Sequence, residues 1–144
     1  MAKLKKYSKY LLYLAWVQSI AAMFGSLYFS EIKHFPPCIL CWYQRILMYP
    51  LTILIAVGIL RKDKNLPYYV LPLSLLGTLV AFYHNLVYLK IVPDTLSPCF
   101  IGVSCTTKFI EYFGFITIPF LSLCGFLLID VCMLLYLKWE KRKV

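Results

Sequence analysis

The chain is predicted to be an all-α integral membrane protein, a four-transmembrane-helix up-down bundle. Three observations predict it. Of its 144 residues 62% are hydrophobic and only 15% are charged, against about half and about a quarter in an average soluble domain. Four stretches, about 11–29, 42–60, 66–89 and 113–137, are long enough for a hydrocarbon core that needs about 20 mainly apolar residues. The basic residues fall at one set of span ends. The four spans take up well over half of the chain, so residues 1–144 are expected to form a single membrane domain with outer loops at about 30–41 and 90–112. No low-complexity tract, internal repeat, glycine-rich phosphate loop or Ser/His/Asp constellation accompanies them.

Each span is expected to be helical, because a helix pairs its own backbone groups in lipid and the alternating pattern of a barrel strand is absent. A basic start before the first apolar run could also mark a cleaved signal peptide. The run is longer than the ~7–15 residues of a signal core and no A-x-A-like site follows it, so an uncleaved first helix is expected. Pro36 and Pro37 end the first outer loop, and Pro67 falls in a first helical turn, where its missing amide is harmless. Pro50, Pro72 and Pro119 are expected inside spans as kinks. Gly25, Gly58, Gly77 and Gly125 are read as sites of close helix approach. Tyr7, Tyr10, Trp42, Tyr43, Tyr112 and Trp139 are read as interfacial anchors.

The net charge of +9 is decided by where it falls. Lys3, Lys5, Lys6 and Lys9 precede the first span, Arg61, Lys62 and Lys64 join the second to the third, and Lys138, Lys141, Arg142 and Lys143 follow the fourth. The other side holds Lys33, Arg45, Lys90 and Lys108, nearly balanced by Glu31, Asp94 and Glu111. The positive-inside rule then makes both termini and the "RKDKN" loop cytoplasmic. No basic patch remains for nucleic acid.

This topology sorts the six cysteines. Cys124 and Cys132 lie inside the fourth span, about 12 Å apart along a helix, beyond the roughly 7 Å limit for a disulfide between alpha carbons, and are read as small buried apolar residues. Cys38, Cys41, Cys99 and Cys105 lie on the outer side, where disulfides persist. Three readings compete for these four: a zinc site of thiolates, structural disulfides, and redox-active pairs. The five-residue gap of "CFIGVSC" and the oxidising side speak against zinc. A Cys-x-x-Cys bridge closes too small a loop to restrict the unfolded chain much. Exchange-active pairs fit such loops best.

In "PPCILCWYQR" the prolines should make Cys38 an N-terminal residue of the second helix, where free amides and the helix dipole favour a thiolate. Cys41 follows one turn later and Arg45 one turn after that, on about the same face. Arg45 is either a charge partner for the Cys41 sulfur or an interfacial arginine reaching for water. His84 falls roughly 8–9 Å below the outer end of the third helix, a functional candidate by its position in a membrane. Asp130 falls on the cytoplasmic half of the fourth helix and is read as a partner for helix packing or for a basic end.

"PPCILCWYQR", "YHN", "PCFIGVSC" and "FGFITIPFLSL" together resemble the disulfide bond formation protein B (DsbB) family, in its short Gram-positive type. The resemblance implies a thiol oxidase of the cell membrane. It would reoxidise a thioredoxin-like extracytoplasmic dithiol oxidase, DsbA-like or BdbD-like, and pass the electrons to a membrane quinone, menaquinone or ubiquinone. It implies the disulfides Cys38–Cys41 and Cys99–Cys105. It also implies that Cys99 takes the partner's thiolate with Cys105 resolving, that Cys41 faces the quinone, and that Arg45 and His84 lie beside the quinone; no metal is implied. The short spacing between Cys99 and Cys105 departs from the longer proteobacterial members, so a compact loop swinging towards the first pair is expected in place of a long rearrangement. The alternatives are an enzyme resembling vitamin K epoxide reductase, or a non-enzymatic membrane metal-binding protein using the four outer cysteines.

Overall fold

The computed structural model describes residues 2–34, 36–93 and 117–141, with side chains from Tyr7 onwards in the first of these segments. Four helices form it: α1 (Ala2–Leu27), α2 (Ile39–Arg61), α3 (Leu66–Tyr88) and α4 (Ile118–Lys141). All four are long and apolar enough to cross a membrane. No strand occurs among the described residues. α1 packs on α2 and α4, and α3 packs on the same two, so the helices close a ring in chain order.

The side chains on the outside of this ring identify its solvent. Leu14, Phe24, Ile53, Leu60, Leu79 and Val131 all point outward and exposed, which a bundle tolerates where lipid surrounds it. The inner face is narrower. Leu51, Ile55, Leu66, Val70, Phe126, Ile129 and Met133 are fully buried in one cluster.

Lipid offers no hydrophobic drive between helices, so close approach and polar contacts hold them together. A Cβ built on Gly77 would overlap the Phe126 ring, reaching 2.6 Å from its Cδ1 and Cζ atoms, and one on Gly58 would overlap the Leu66 side chain. Three hydrogen bonds tie α3 to α4: Thr78 Oγ1 donates to Asp130 Oδ2 at 2.6 Å, Asn85 Nδ2 to the Pro119 carbonyl at 2.9 Å, and Ser74 Oγ to the Phe126 carbonyl at 3.4 Å. Interhelical bonds of this kind are worth about 0.6 kcal/mol each. Asp130 is thus a packing partner, with Thr78 as its mate. At the basic end, Tyr7 and Trp139 meet edge to face with centroids 6.4 Å apart.

Several boundaries differ from the sequence reading for local reasons. α1 begins at Ala2 because the helix continues beyond the apolar stretch through its lysines, and its end widens into a π-helical turn at Tyr28–Ile32. α2 begins at Ile39, three residues before the hydropathy boundary, because Cys38 caps it. The expected start of the fourth span at 113 lies outside the described residues, as does Tyr112. Pro119 is the second residue of α4, where its absent amide removes no intrahelical bond, so it is not the interior kink expected; Pro50 and Pro72 do lie inside their helices. Cys132 is buried as expected, but Cys124 faces outward and is exposed. Gly25 meets nothing within 4 Å of an added Cβ, so it opens onto space where a helix contact was expected.

The hairpin between α2 and α3 closes without glycine. Lys62 adopts the left-handed cap conformation at φ 53°, returning its amide to the Gly58 and Ile59 carbonyls. Asp63 accepts from Tyr69 Oη at 2.7 Å and from the Asn65 amide at 2.8 Å. The Tyr69 bond, and then the Asn65 amide, hold its carboxyl below the usual range.

If the Gly77 notch is what admits Phe126, Gly77→Ala should lower the denaturation midpoint of the detergent-solubilised protein, with overpacking of about 1–3 kcal/mol. The loss should shrink in a Phe126→Ala background, giving an interaction energy of about 0.5–3 kcal/mol in a double-mutant cycle. Additive losses would separate the two residues.

Candidate functional site

The site begins with the N-terminus of α2. A helix leaves its first amides without partners, and after Pro36 and Pro37 the acceptor is sulfur: Cys38 is the N-cap, with extended backbone at φ −71° and ψ 169°, and its Sγ accepts from the Cys41 amide at 3.4 Å. The helical turn places Cys41 Sγ 3.0 Å from Cys38 Sγ. Both are free thiols in this structure. Cys38 is buried and Cys41 half-buried.

α3 supplies the next group. His84 is only 2% exposed, and its Nε2 lies 3.7 Å from Cys38 Sγ while its Nδ1 lies 3.1 Å from Gln44 Nε2. With the Gln44 amide in this orientation its Nε2 donates, so Nδ1 is the acceptor and the ring proton sits on Nε2, aimed at the sulfur. Cys38, just outside the span of α2, is drawn down to about 4, first by the hydrogen bond from the Cys41 thiol and then by His84, with burial pushing the other way. One thiolate at the helix N-terminus, with a thiol and an imidazole donating to it, is an arrangement prepared for thiol–disulfide chemistry.

Arg45 reaches across to α1. Its Nε donates to Ser26 Oγ at 2.7 Å and its Nη2 to the Ser26 carbonyl at 2.9 Å, with Trp42 stacked 5.5 Å below the guanidinium. The cation therefore bridges two helices. Behind it lies a cavity of about 330 Å³. Its walls come from all four helices: Ala22, Gly25 and Ser26 of α1, Cys41, Gln44, Arg45 and Met48 of α2, His84 and Tyr88 of α3, and Pro119 and Phe126 of α4, with Cys38 at its rim. This is at the lower end of the 300–1,000 Å³ range of small-molecule sites, and it has their character of apolar walls with a few convergent polar groups.

A sequence model of the family described as Disulfide bond formation protein DsbB matches residues 8–136. This chain belongs to the DsbB family. It is 48% identical over 132 residues, 92% of the chain and 95% of the relative, to Disulfide bond formation protein C of Bacillus subtilis (strain 168). It is 44% identical over 144 residues, 99% of both chains, to the Probable disulfide formation protein of Oceanobacillus iheyensis, and 44% identical over 125 residues, 86% of the chain and 90% of the relative, to the Probable disulfide formation protein C of Halalkalibacterium halodurans. No solved structure matches it. Family membership makes the chain a disulfide-forming oxidoreductase of the membrane.

Of the residues named from sequence, Cys38, Cys41, Arg45 and His84 meet around the one cavity. Cys99 and Cys105 lie outside the described residues. Gln44 and Ser26 were missed. Gln44 carried a signal, being an amide inside an apolar span, one turn beyond Cys41. Asn85 was missed as a tie to α4, although it stands beside His84 in the same "YHN". The residues would fit a quinone: Phe126, Met48 and Ala22 suit an apolar ring and tail, and the remaining N–H groups of Arg45 and Gln44 could donate to ring oxygens, with His84 beside them.

The low Cys38 value sets a pH dependence. Hydrogen bonds to the charged form place the folded value below the unfolded one, so their stabilisation of the reduced fold is complete above the ordinary thiol range and is lost as pH falls through about 4. Alkylation of Cys38 in the reduced protein should therefore stay fast well below neutral pH. Cys41→Ala should raise the midpoint of the rate profile by at least about one unit, read by mass spectrometry of the labelled peptide; an unchanged midpoint would remove Cys41 as the cause.

Proposed function

We propose that the protein is a thiol:quinone oxidoreductase that reoxidises a thioredoxin-like extracytoplasmic dithiol protein and hands the electrons to a membrane quinone, menaquinone or ubiquinone. The observation that carries this is the Cys38–Cys41 pair, with sulfurs 3.0 Å apart, opening on an apolar cavity lined by His84, Gln44 and Arg45. The names of the relatives support disulfide formation. The distribution of lysine and arginine supports cytoplasmic termini, with the cysteine-bearing ends extracytoplasmic.

In this reading Cys99 receives the partner's thiolate and Cys105 resolves the mixed disulfide, releasing the oxidised partner. The Cys99 and Cys105 dithiol then reduces the Cys38–Cys41 bond by a second exchange. The reduced first pair closes again by losing two electrons and the one proton on the Cys41 thiol, the Cys38 proton having passed to solvent when its thiolate formed, and Cys38 is placed to form the bond to Cys41. A bound quinone would supply the sink for those two electrons, taking up that proton and a second one from solvent. His84 steadies the Cys38 thiolate, Gln44 holds the His84 ring through Nδ1, and Arg45 holds α1 to α2 while presenting positive charge to the cavity.

Purified protein given a reduced thioredoxin-like partner and a soluble quinone should reduce the quinone. Cys38→Ser, Cys41→Ser, Cys99→Ser and Cys105→Ser should each stop turnover, whereas Arg45→Ala and His84→Ala should chiefly raise the KM for quinone. Normal turnover in Cys99→Ser would refute the assigned relay. Gly25→Leu should fill open space rather than clash, so its melting midpoint should hold while quinone turnover falls at least about tenfold, a barrier change of about 1.4 kcal/mol; full activity would place the quinone elsewhere.

A further inference from the structure

We propose that the reduced Cys38–Cys41 pair and His84 form a redox-gated binding site for a tetrahedral d¹⁰ divalent cation, Zn²⁺ or Cd²⁺, which holds the pair reduced until the metal is withdrawn. Cys38 Sγ, Cys41 Sγ and a His84 ring nitrogen all lie within 4.8 Å of one another, with 3.0 Å between the sulfurs and 3.7 Å from Cys38 Sγ to His84 Nε2. Zinc with bonds of about 2.3 Å to sulfur and about 2.0 Å to nitrogen needs separations of about 3.5–3.8 Å in a tetrahedron. The three atoms need shift by less than about 1 Å to meet that requirement. Two cysteines and a histidine leave the fourth position to water, as in sites where zinc keeps an exchangeable ligand.

The surroundings favour the metal form. Two thiolates and a neutral imidazole around a dication carry no net charge, which suits a site walled by Met48 and Phe126. His84 can bind metal through Nε2 only if its proton moves to Nδ1. The Gln44 amide, 3.1 Å away, serves either tautomer: its Nε2 donates to a bare Nδ1, and turned over, its Oε1 accepts from Nδ1–H. Binding forms two sulfur–metal bonds and one nitrogen–metal bond, and protons remaining on the sulfurs pass to solvent. No electron moves. Once the sulfurs are joined to each other they are no longer thiolate ligands, so the disulfide form has no site. The cation is therefore a reversible inhibitor of reoxidation, not a resident cofactor, and its site requires neither the quinone nor the partner assigned above.

The test uses the full-length protein in nanodiscs, with Cys99→Ser and Cys105→Ser so that the first pair alone changes between redox states. Cys124 and Cys132 are present in both states and cancel. Titration with Cd²⁺, followed by the ultraviolet thiolate-to-metal band, should give one site in the reduced form and at least about a hundredfold weaker binding in the oxidised form, a loss typical of a metal site stripped of its support. His84→Ala should weaken binding at least about tenfold in the reduced form. Co²⁺ bound to the unsubstituted reduced site should show the intense visible bands of tetrahedral sulfur and nitrogen ligation, which keeps the assignment testable if His84→Ala does not fold. Equal affinity in both redox states, or octahedral Co²⁺ spectra, would overturn it. Because metal binding is read without turnover, loss of quinone activity with normal binding would count against the relay alone.

Discussion

The structure depends on how the N-terminus of α2 satisfies its backbone at the membrane surface. In lipid every amide must find an acceptor, and a helix does this for all but its first turn. Here two prolines deliver an extended residue to the cap position and that residue is a cysteine, so a sulfur takes the Cys41 amide. The same geometry that caps the helix puts the second cysteine one turn on, 3.0 Å from the first. Capping, a stabilised thiolate and a ready partner for a disulfide are one arrangement seen from three sides.

The rest of the bundle holds that corner in position and keeps room beside it. Below the site the helices are close, with Phe126 set into the Gly77 notch and Leu66 over Gly58. At the site they part. Ala22 and Gly25 withdraw the α1 wall, and the Arg45 hydrogen bonds to Ser26 set the distance between α1 and α2. Asn85 does the matching work on the other side by fastening the start of α4 beside His84. A cavity in lipid-embedded helices exists because these contacts brace it; small residues alone would let the walls collapse together.

How much of this was legible varied with the kind of signal. Spans and helical class follow from hydropathy because lipid imposes one rule on every residue. The place of Cys38 at the start of α2 follows from Pro36 and Pro37, since proline acts on local backbone alone. Counting residues along a helix put His84 near the outer end of α3, but a count says nothing of rotation, so its approach to Cys38 at 3.7 Å became visible only in three dimensions. Arg45 shows the same limit: its spacing brought its charge near the Cys41 sulfur, but that its Nε and Nη2 also donate to Ser26 of another helix is visible only in the fold. Glycine was ambiguous for the same reason. Gly77 and Gly25 look alike in sequence, and one admits a ring while the other borders a cavity.

Charge links the thiol chemistry to its location. An apolar pocket accepts one thiolate if donors surround it, and Cys38 has three, the Cys41 amide, the Cys41 thiol and the His84 Nε2–H. A second thiolate there would be uncompensated and costly. The reduced pair can leave that state by two neutralising routes: losing electrons and protons together to become a disulfide, or taking on a dication. A site built to make the first route easy has, by the same placement of two sulfurs and one imidazole, the ligands for the second. Which one operates depends on whether an electron acceptor or a metal ion reaches the cavity first.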